Sequence, residues 1–131
     1  MDATLNAWQP RVLSILRIMA GLLLLQHGLV KMFAFPMAFP NPVPQFSLLW
    51  FAAVIEIIGG VLLIIGLFTR WVAFVCAGFA AFAYFIGHAP RSYYPIQNGG
   101  TLAVLYCFVF FYLFFAGPGP WSIDAKRSGE A

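Results

Sequence analysis

An all-helical bundle crossing a membrane is the fold class that this sequence predicts, and three observations predict it. The 131 residues are 63% hydrophobic and 8% charged, against roughly 25% charged in a soluble domain, and the mean hydropathy is +0.90. The apolar residues gather into four long runs, each about twice the 9–11 residues that a barrel strand uses and without its period-two alternation. Turn-forming and proline-rich stretches separate the runs. The expected architecture is a single domain over 1–131, an antiparallel bundle of four transmembrane helices.

The first span is expected at about 11–33, after a short polar lead carrying Trp8. No basic segment precedes this run and no small-residue cleavage site follows it, so it is expected to be retained. Arg17, Gly21, Leu24, Gly28 and Lys31 recur along it at helical spacing and share one face. Two glycines beside two cations mark the side turned toward protein.

The segment 34–47 carries Pro36, Pro40, Pro42 and Pro44, which rules out regular helix and strand and suggests an outer cap over the bundle mouth. The second span, 48–68, reads LLWFAAVIEIIGGVLLIIGLF. It is apolar on all sides and long enough for a hydrocarbon core of roughly 30 Å, yet Glu56 lies in its interior. An uncompensated charge there costs about 2.5–3.5 kcal/mol on the most lenient insertion scales, so Glu56 must be neutral, paired or wetted inside a bundle. Gly59 and Gly60, continued by Gly66, form a small-residue face that admits a neighbouring backbone.

The third span is expected at 71–88, with Ala73, Ala77, Ala80, Tyr84 and His88 on one packing stripe. A polar loop, APRSYYPIQNGG, leads into a fourth span at 98–116, for which Asn98 makes a suitable N-cap. Gly117, Pro118, Gly119 and Pro120 break that helix, and a charged tail follows. With both termini on one side, that side carries Arg11, Arg70, Lys126 and Arg127 against Lys31 and Arg91 on the other. The positive-inside rule then puts both termini in the cytoplasm.

Under this topology His27 and Lys31 are the best-placed partners for Glu56, and Arg17 lies deeper. A structural ion pair is one reading of this polar core. The other is a protonatable site in which Glu56 and His27 exchange protons with a bound carbonyl or quinone, with Asn98 as a weaker member. His27 and His88, near the same ends of parallel spans, are a conceivable haem pair that no third signal supports. A dinuclear metal site is disfavoured, because only one carboxylate lies within a span. The net charge of +3 is spread over single basic residues apart from Lys126 and Arg127, which argues against nucleic acid. Cys76 and Cys107 each sit in an apolar run with no CxxC, so they read as small buried hydrophobes.

The run RIMAGLLLLQHGLVKMF, the Glu of IEIIGGVLLIIGLFTR, the Asn-Gly-Gly before the last span and the closing GPGPWSID together resemble the DoxX family of small four-helix bacterial inner-membrane proteins, over nearly the whole chain. The family's characteristic arginine looks like Arg17, and its Gly and Lys ending the first helix look like Gly28 and Lys31. Its Glu-x-x-Gly-Gly looks like Glu56, Gly59 and Gly60, and its closing Gly-Pro-Gly like Gly117, Pro118 and Gly119. The family takes its name from a subunit of an archaeal thiosulfate:quinone oxidoreductase, and related members are associated with redox or oxidative-stress complexes. The resemblance therefore implies a quinone-linked membrane subunit with a soluble or membrane redox partner. The residues offer no reactive cysteine pair and no basic cluster for thiosulfate. Two other classes stand beside this reading: a non-catalytic scaffold whose buried charges fix helix register, and a small transporter component, which would need a homo-oligomer to line an aqueous path.

Overall fold

The computed structural model describes residues 1–129, and within them the chain is helical with no strand. The long helices are α1 (Asp2–Phe33), α2 (Leu48–Ile65) and α3 (Thr69–Gly87); a short turn α4 (Pro95–Asn98) precedes α5 (Thr101–Ala116), and α6 (Ile123–Arg127) closes the chain. Helices beginning at Asp2, Leu48 and Thr69 are long and apolar enough to cross a membrane, and α5 is apolar but has 16 residues. Large side chains such as Trp71, Phe82, Phe85 and Phe108 point outward from them. In water that surface would be an aggregation liability; in lipid it is the solvated face.

Several boundaries differ from those expected, each for a local reason. Helix α1 starts at Asp2 rather than near 11, with Pro10 inside it. The lead includes the helix formers Ala3, Leu5, Ala7 and Gln9, and Asp2 in the first turn complements the helix dipole. Helix α2 stops at Ile65 because Gly66 takes the left-handed C-cap conformation, φ 70°. Gly66 therefore ends the helix instead of extending its packing face, and a side chain there would run into Ser122. Asn98 is not the N-cap of the last span. It ends α4, Gly99 turns the chain at φ 74°, and Gly100 occupies the N-cap of α5. The tail is not free: α6 docks on the turn between α2 and α3, where Asp124 accepts the Phe68 and Thr69 N–H groups at 2.8 Å each. That carboxylate satisfies donors that the start of α3 leaves open. The last two residues of the tail lie outside the described residues.

Helices α1 and α2 pack antiparallel along a glycine seam. A Cβ at Gly21 would stand 2.9 Å from the Gly60 carbonyl oxygen, and one at Gly60 would stand 2.9 Å from that of Gly21. Gly28 lies equally close to the Ala53 carbonyl. Helices α3 and α5 form the second antiparallel pair, with Phe74 against Phe114 at one end and Tyr84 bonded to Asn98 at the other. The two pairs share a core of Ala20, Leu24, Leu63, Cys76, Phe110 and Leu113 with Ala73 and Ala77. That core lies toward the α2–α3 turn.

At this same end Arg17 is fully buried. Its Nε donates to Leu63 O at 2.8 Å, Nη2 to Trp121 O at 2.7 Å and Ile64 O at 3.4 Å, and Nη1 to Pro118 O. Arg70 donates to the Phe114 and Phe115 carbonyls at 3.1 and 2.7 Å, satisfying the end of α5.

Two predictions follow from these contacts. Gly21→Ala or Gly60→Ala has a backbone for its obstacle, so each should cost about 1–3 kcal/mol and lower the melting temperature in detergent. Gly78→Ala meets nothing within 4 Å and should be neutral or stabilising by about 0.5–1 kcal/mol; equal effects at all three positions would refute the seam. Arg17→Lys keeps the charge but loses the planar fork, so it should destabilise nearly as much as Arg17→Ala and speed tryptic cleavage at Lys126 and Arg127. A lysine variant as stable and protected as the parent would show that charge alone holds this end.

Candidate functional site

Toward the opposite end the four helices enclose a cavity of about 480 Å³, within the range of small-molecule sites. Its walls are mostly apolar, and its polar contributions are His27, Lys31, Glu56, His88, Arg91 and Tyr106. Helix α1 supplies His27 and Lys31, which fall one turn apart on the face that Gly28 brings against α2. Helix α2 supplies Glu56, three residues before the Gly59–Gly60 pair. Helix α5 supplies Tyr106, and His88 is the C-cap of α3. Phe39 from the proline-rich segment closes over Lys31, whose Nζ lies 6.0 Å from its ring centre.

The centre of the site is an ion pair. Lys31 Nζ donates to Glu56 Oε1 at 2.6 Å, with Glu56 only 5% exposed. Removing either partner leaves an uncompensated buried charge, which costs about 3–5 kcal/mol, while removing both together can be nearly neutral.

Both histidines are fixed the same way. His27 Nδ1 lies 2.7 Å from the Leu23 carbonyl one turn back, and His88 Nδ1 lies 3.1 Å from the Asn98 carbonyl. A carbonyl oxygen only accepts, so each Nδ1 carries the hydrogen and each Nε2 of a neutral ring is left as an acceptor. His27 and Tyr106 meet in a T-shaped arrangement at 5.9 Å between ring centres, and Tyr106 stacks on Phe110 at 5.3 Å. The Tyr106 hydroxyl is buried and has no hydrogen-bond partner. Such an orphan costs about 1–3 kcal/mol, which an acceptor brought to this wall would recover.

Glu56, Lys31 and His27 thus share one cavity. Arg17 belongs elsewhere: it sits half a helix away and spends its guanidinium on carbonyls at the closed end. Asn98 is also consumed locally. Its Nδ2 donates to Tyr84 Oη and Ser92 O, its Oδ1 accepts from Gly100 N–H, and the whole side chain holds the α4 turn together. Gly21, Gly28 and Gly60 form the α1–α2 seam, whereas Gly59 faces α3, where a Cβ would lie 2.8 Å from Cys76 Sγ. Tyr106 was not legible as a site residue, because one tyrosine in TLAVLYCFVFFYLFFA carries no signal of which face turns inward. Among the described residues no three His, Cys, Asp or Glu side chains gather as a metal site.

The ion pair generates a double-mutant prediction. Lys31→Met and Glu56→Gln should each lower detergent stability, by up to about 3–5 kcal/mol for the change that strands a full charge. The double variant should recover most of the loss, giving a coupling well above the few tenths expected of independent sites. Additive losses would mean that the pair is not a unit.

Comparison with known proteins converges on one family. Residues 12–89 match DoxX. An uncharacterized protein of Haemophilus influenzae is 39% identical over 127 residues, covering 93% of this chain and 95% of the relative. No solved structure matches. The match over most of α1 to α3 and the near full-length relative together establish that this chain belongs to the DoxX family of membrane proteins.

Proposed function

We propose that the chain is a membrane subunit of a redox or oxidative-stress system that binds a quinone-like lipophilic molecule in the cavity around Lys31 and Glu56 and anchors a redox partner. In this reading α5 is the fourth span of an antiparallel bundle. The chain sits in the bacterial inner membrane with both termini in the cytoplasm, so the cavity lies in the outer half of the bilayer.

One observation carries the proposal: a cavity of about 480 Å³ whose apolar walls converge on a buried ion pair, two histidines and an unpartnered tyrosine hydroxyl. A flat ring with carbonyl or hydroxyl groups suits this set. Lys31 and Tyr106 are donors for a carbonyl, and the histidine Nε2 atoms are acceptors for a hydroxyl. The electrons would have to come through a bound cofactor or partner, since the side chains here carry protons rather than electrons.

A second reading draws on the tightness of the ion pair itself. At 2.6 Å Lys31 already neutralises Glu56, which is what a non-catalytic scaffold fixing the register of α1 on α2 would need.

The two readings separate by mass spectrometry of the organic extract from protein purified in native-lipid discs. Wild type, Glu56→Gln and Tyr106→Phe are compared at matched amounts. Binding predicts a quinone enriched over bulk lipid in wild type and depleted in both variants. Tyr106→Phe should keep or slightly raise thermal stability, because its lost hydroxyl has no partner to strand. Equal extracts from all three proteins would leave the scaffold as the working function.

A further inference from the structure

The cavity has a side entrance. Helices α2 and α3 leave their shared turn in antiparallel register, and Gly59 still touches α3 at Cys76 and Val72. Beyond that layer the positions that face one another in the same register are Glu56 with Phe79, Ala52 with Ala83, and Leu49 with Ile86. Every one of these residues lines the cavity. The cavity enclosed by the four helices therefore extends into the space between α2 and α3, where a helical hairpin would ordinarily close. Facing alanines at 52 and 83 would permit a close approach of the two backbones, so bulk at that layer does not account for the gap.

The edges of this gap are apolar and face outward. Leu48 and Phe82, both lining the cavity, are each 69% exposed, and Ile86 is more than half exposed. Polarity rises inward from this rim to Glu56, Lys31 and His27. The end toward the aqueous phase is instead overhung by Phe39 and the proline-rich segment. A molecule dissolved in the bilayer meets Leu48, Phe82 and Ile86 at this rim, while Phe39 of the proline-rich segment lies over Lys31 on the other side.

Resting on the reading of this cavity as a ligand site, we infer that it is loaded sideways, through a portal between the α2 half starting at Leu48 and the α3 half ending at Gly87. Its occupant is an amphiphile whose hydrogen-bonding head reaches Lys31, Glu56 and Tyr106 while an apolar tail remains in the gap and the surrounding lipid. The tail is part of what is recognised, so a head group alone is a poor ligand.

The test seals the portal. In a Cys107→Ser background, Leu48→Cys and Gly87→Cys are introduced at the mouth and joined by a short bis-maleimide; a side chain at 87 meets nothing within 4 Å, and Cys76 is buried. The full chain in lipid nanodiscs is then offered a decyl-tailed benzoquinone carrying a diazirine on the tail, or the tail-less ring as competitor. The unbridged protein should be photolabelled in 48–52 and 79–87, the tail-less ring should compete poorly, and bridging should slow labelling by at least about tenfold. Labelling at the same rate after bridging overturns the portal but leaves the ligand site standing. Strong competition by the tail-less ring overturns the requirement for a tail. If the unbridged protein is not labelled by the tailed quinone, the ligand reading fails for quinones, and a diazirine-tailed fatty acid decides the portal. Labelling of the same two segments that disappears on bridging supports the entrance, and no labelling there overturns it.

Discussion

The bundle depends on one buried guanidinium. Arg17 lies within an apolar helix with no exposure, where a cation without partners would cost several kcal/mol. Its compensation comes from four backbone carbonyls: those of Leu63 and Ile64 at the end of α2, and those of Pro118 and Trp121 in the segment after α5. Helix ends always leave carbonyls unsatisfied, and a planar fork of five donors is suited to collecting several at once. Three separate parts of the chain thus meet on one side chain. The rest of the closed end follows from it: with 118–121 held against α2, Asp124 is delivered to the start of α3 and the Asp124 N–H to Gly66 O.

The opposite end has no such lock, and its electrostatics differ in kind. Lys31 and Glu56 form a direct pair between α1 and α2, so neither holds α3 or α5. Two helix pairs that are clasped at one end and independently satisfied at the other are free to stand apart there. The cavity is the consequence. Four of its polar groups are compensated within the chain, Lys31 and Glu56 by each other and both histidines by a backbone bond, and the Tyr106 hydroxyl is left open.

Much of this was legible from sequence, and the reasons are specific. Composition and run length identified a helical membrane protein, because the bilayer imposes both the apolar content and the length. Glu56 stood out as an ionisable residue in an apolar helix, and Lys31 lay at the matching depth of the preceding one. What failed to be legible depended on backbone conformation. Gly66 looks like a continuation of the glycine face until its left-handed φ makes it a cap, and Asn98 looks like an N-cap until Gly99 turns the chain after it. Arg17 shares a helical face with Lys31, so periodicity groups them. Only the return of the chain through Pro118 to Trp121 gives Arg17 different partners. Asp124 and Tyr106 gave no signal at all, since one lies in a short polar tail and the other in a helix that is apolar on every side.

The position of Glu56 on α2 ties the two ends together. Gly60 lets α1 approach on one face and Gly59 lets Cys76 of α3 approach on the neighbouring one. Glu56 is about one turn from both, on the side away from the shared turn with α3, where it pairs with Lys31 of α1 and shares the cavity wall with Phe79 and Ala80 of α3. A carboxylate one turn nearer the turn would be packed among Leu63, Ala73 and Cys76 with no partner. One turn farther out it would stand near the level of Leu49 and Ala52, at the lips of the gap. At the branch point it can be held by Lys31 on one side and still border open space on the other. The adjacent glycines thereby do more than pack helices: they bring α1 and α3 against α2 one turn away from a carboxylate that Lys31 holds and that borders the cavity.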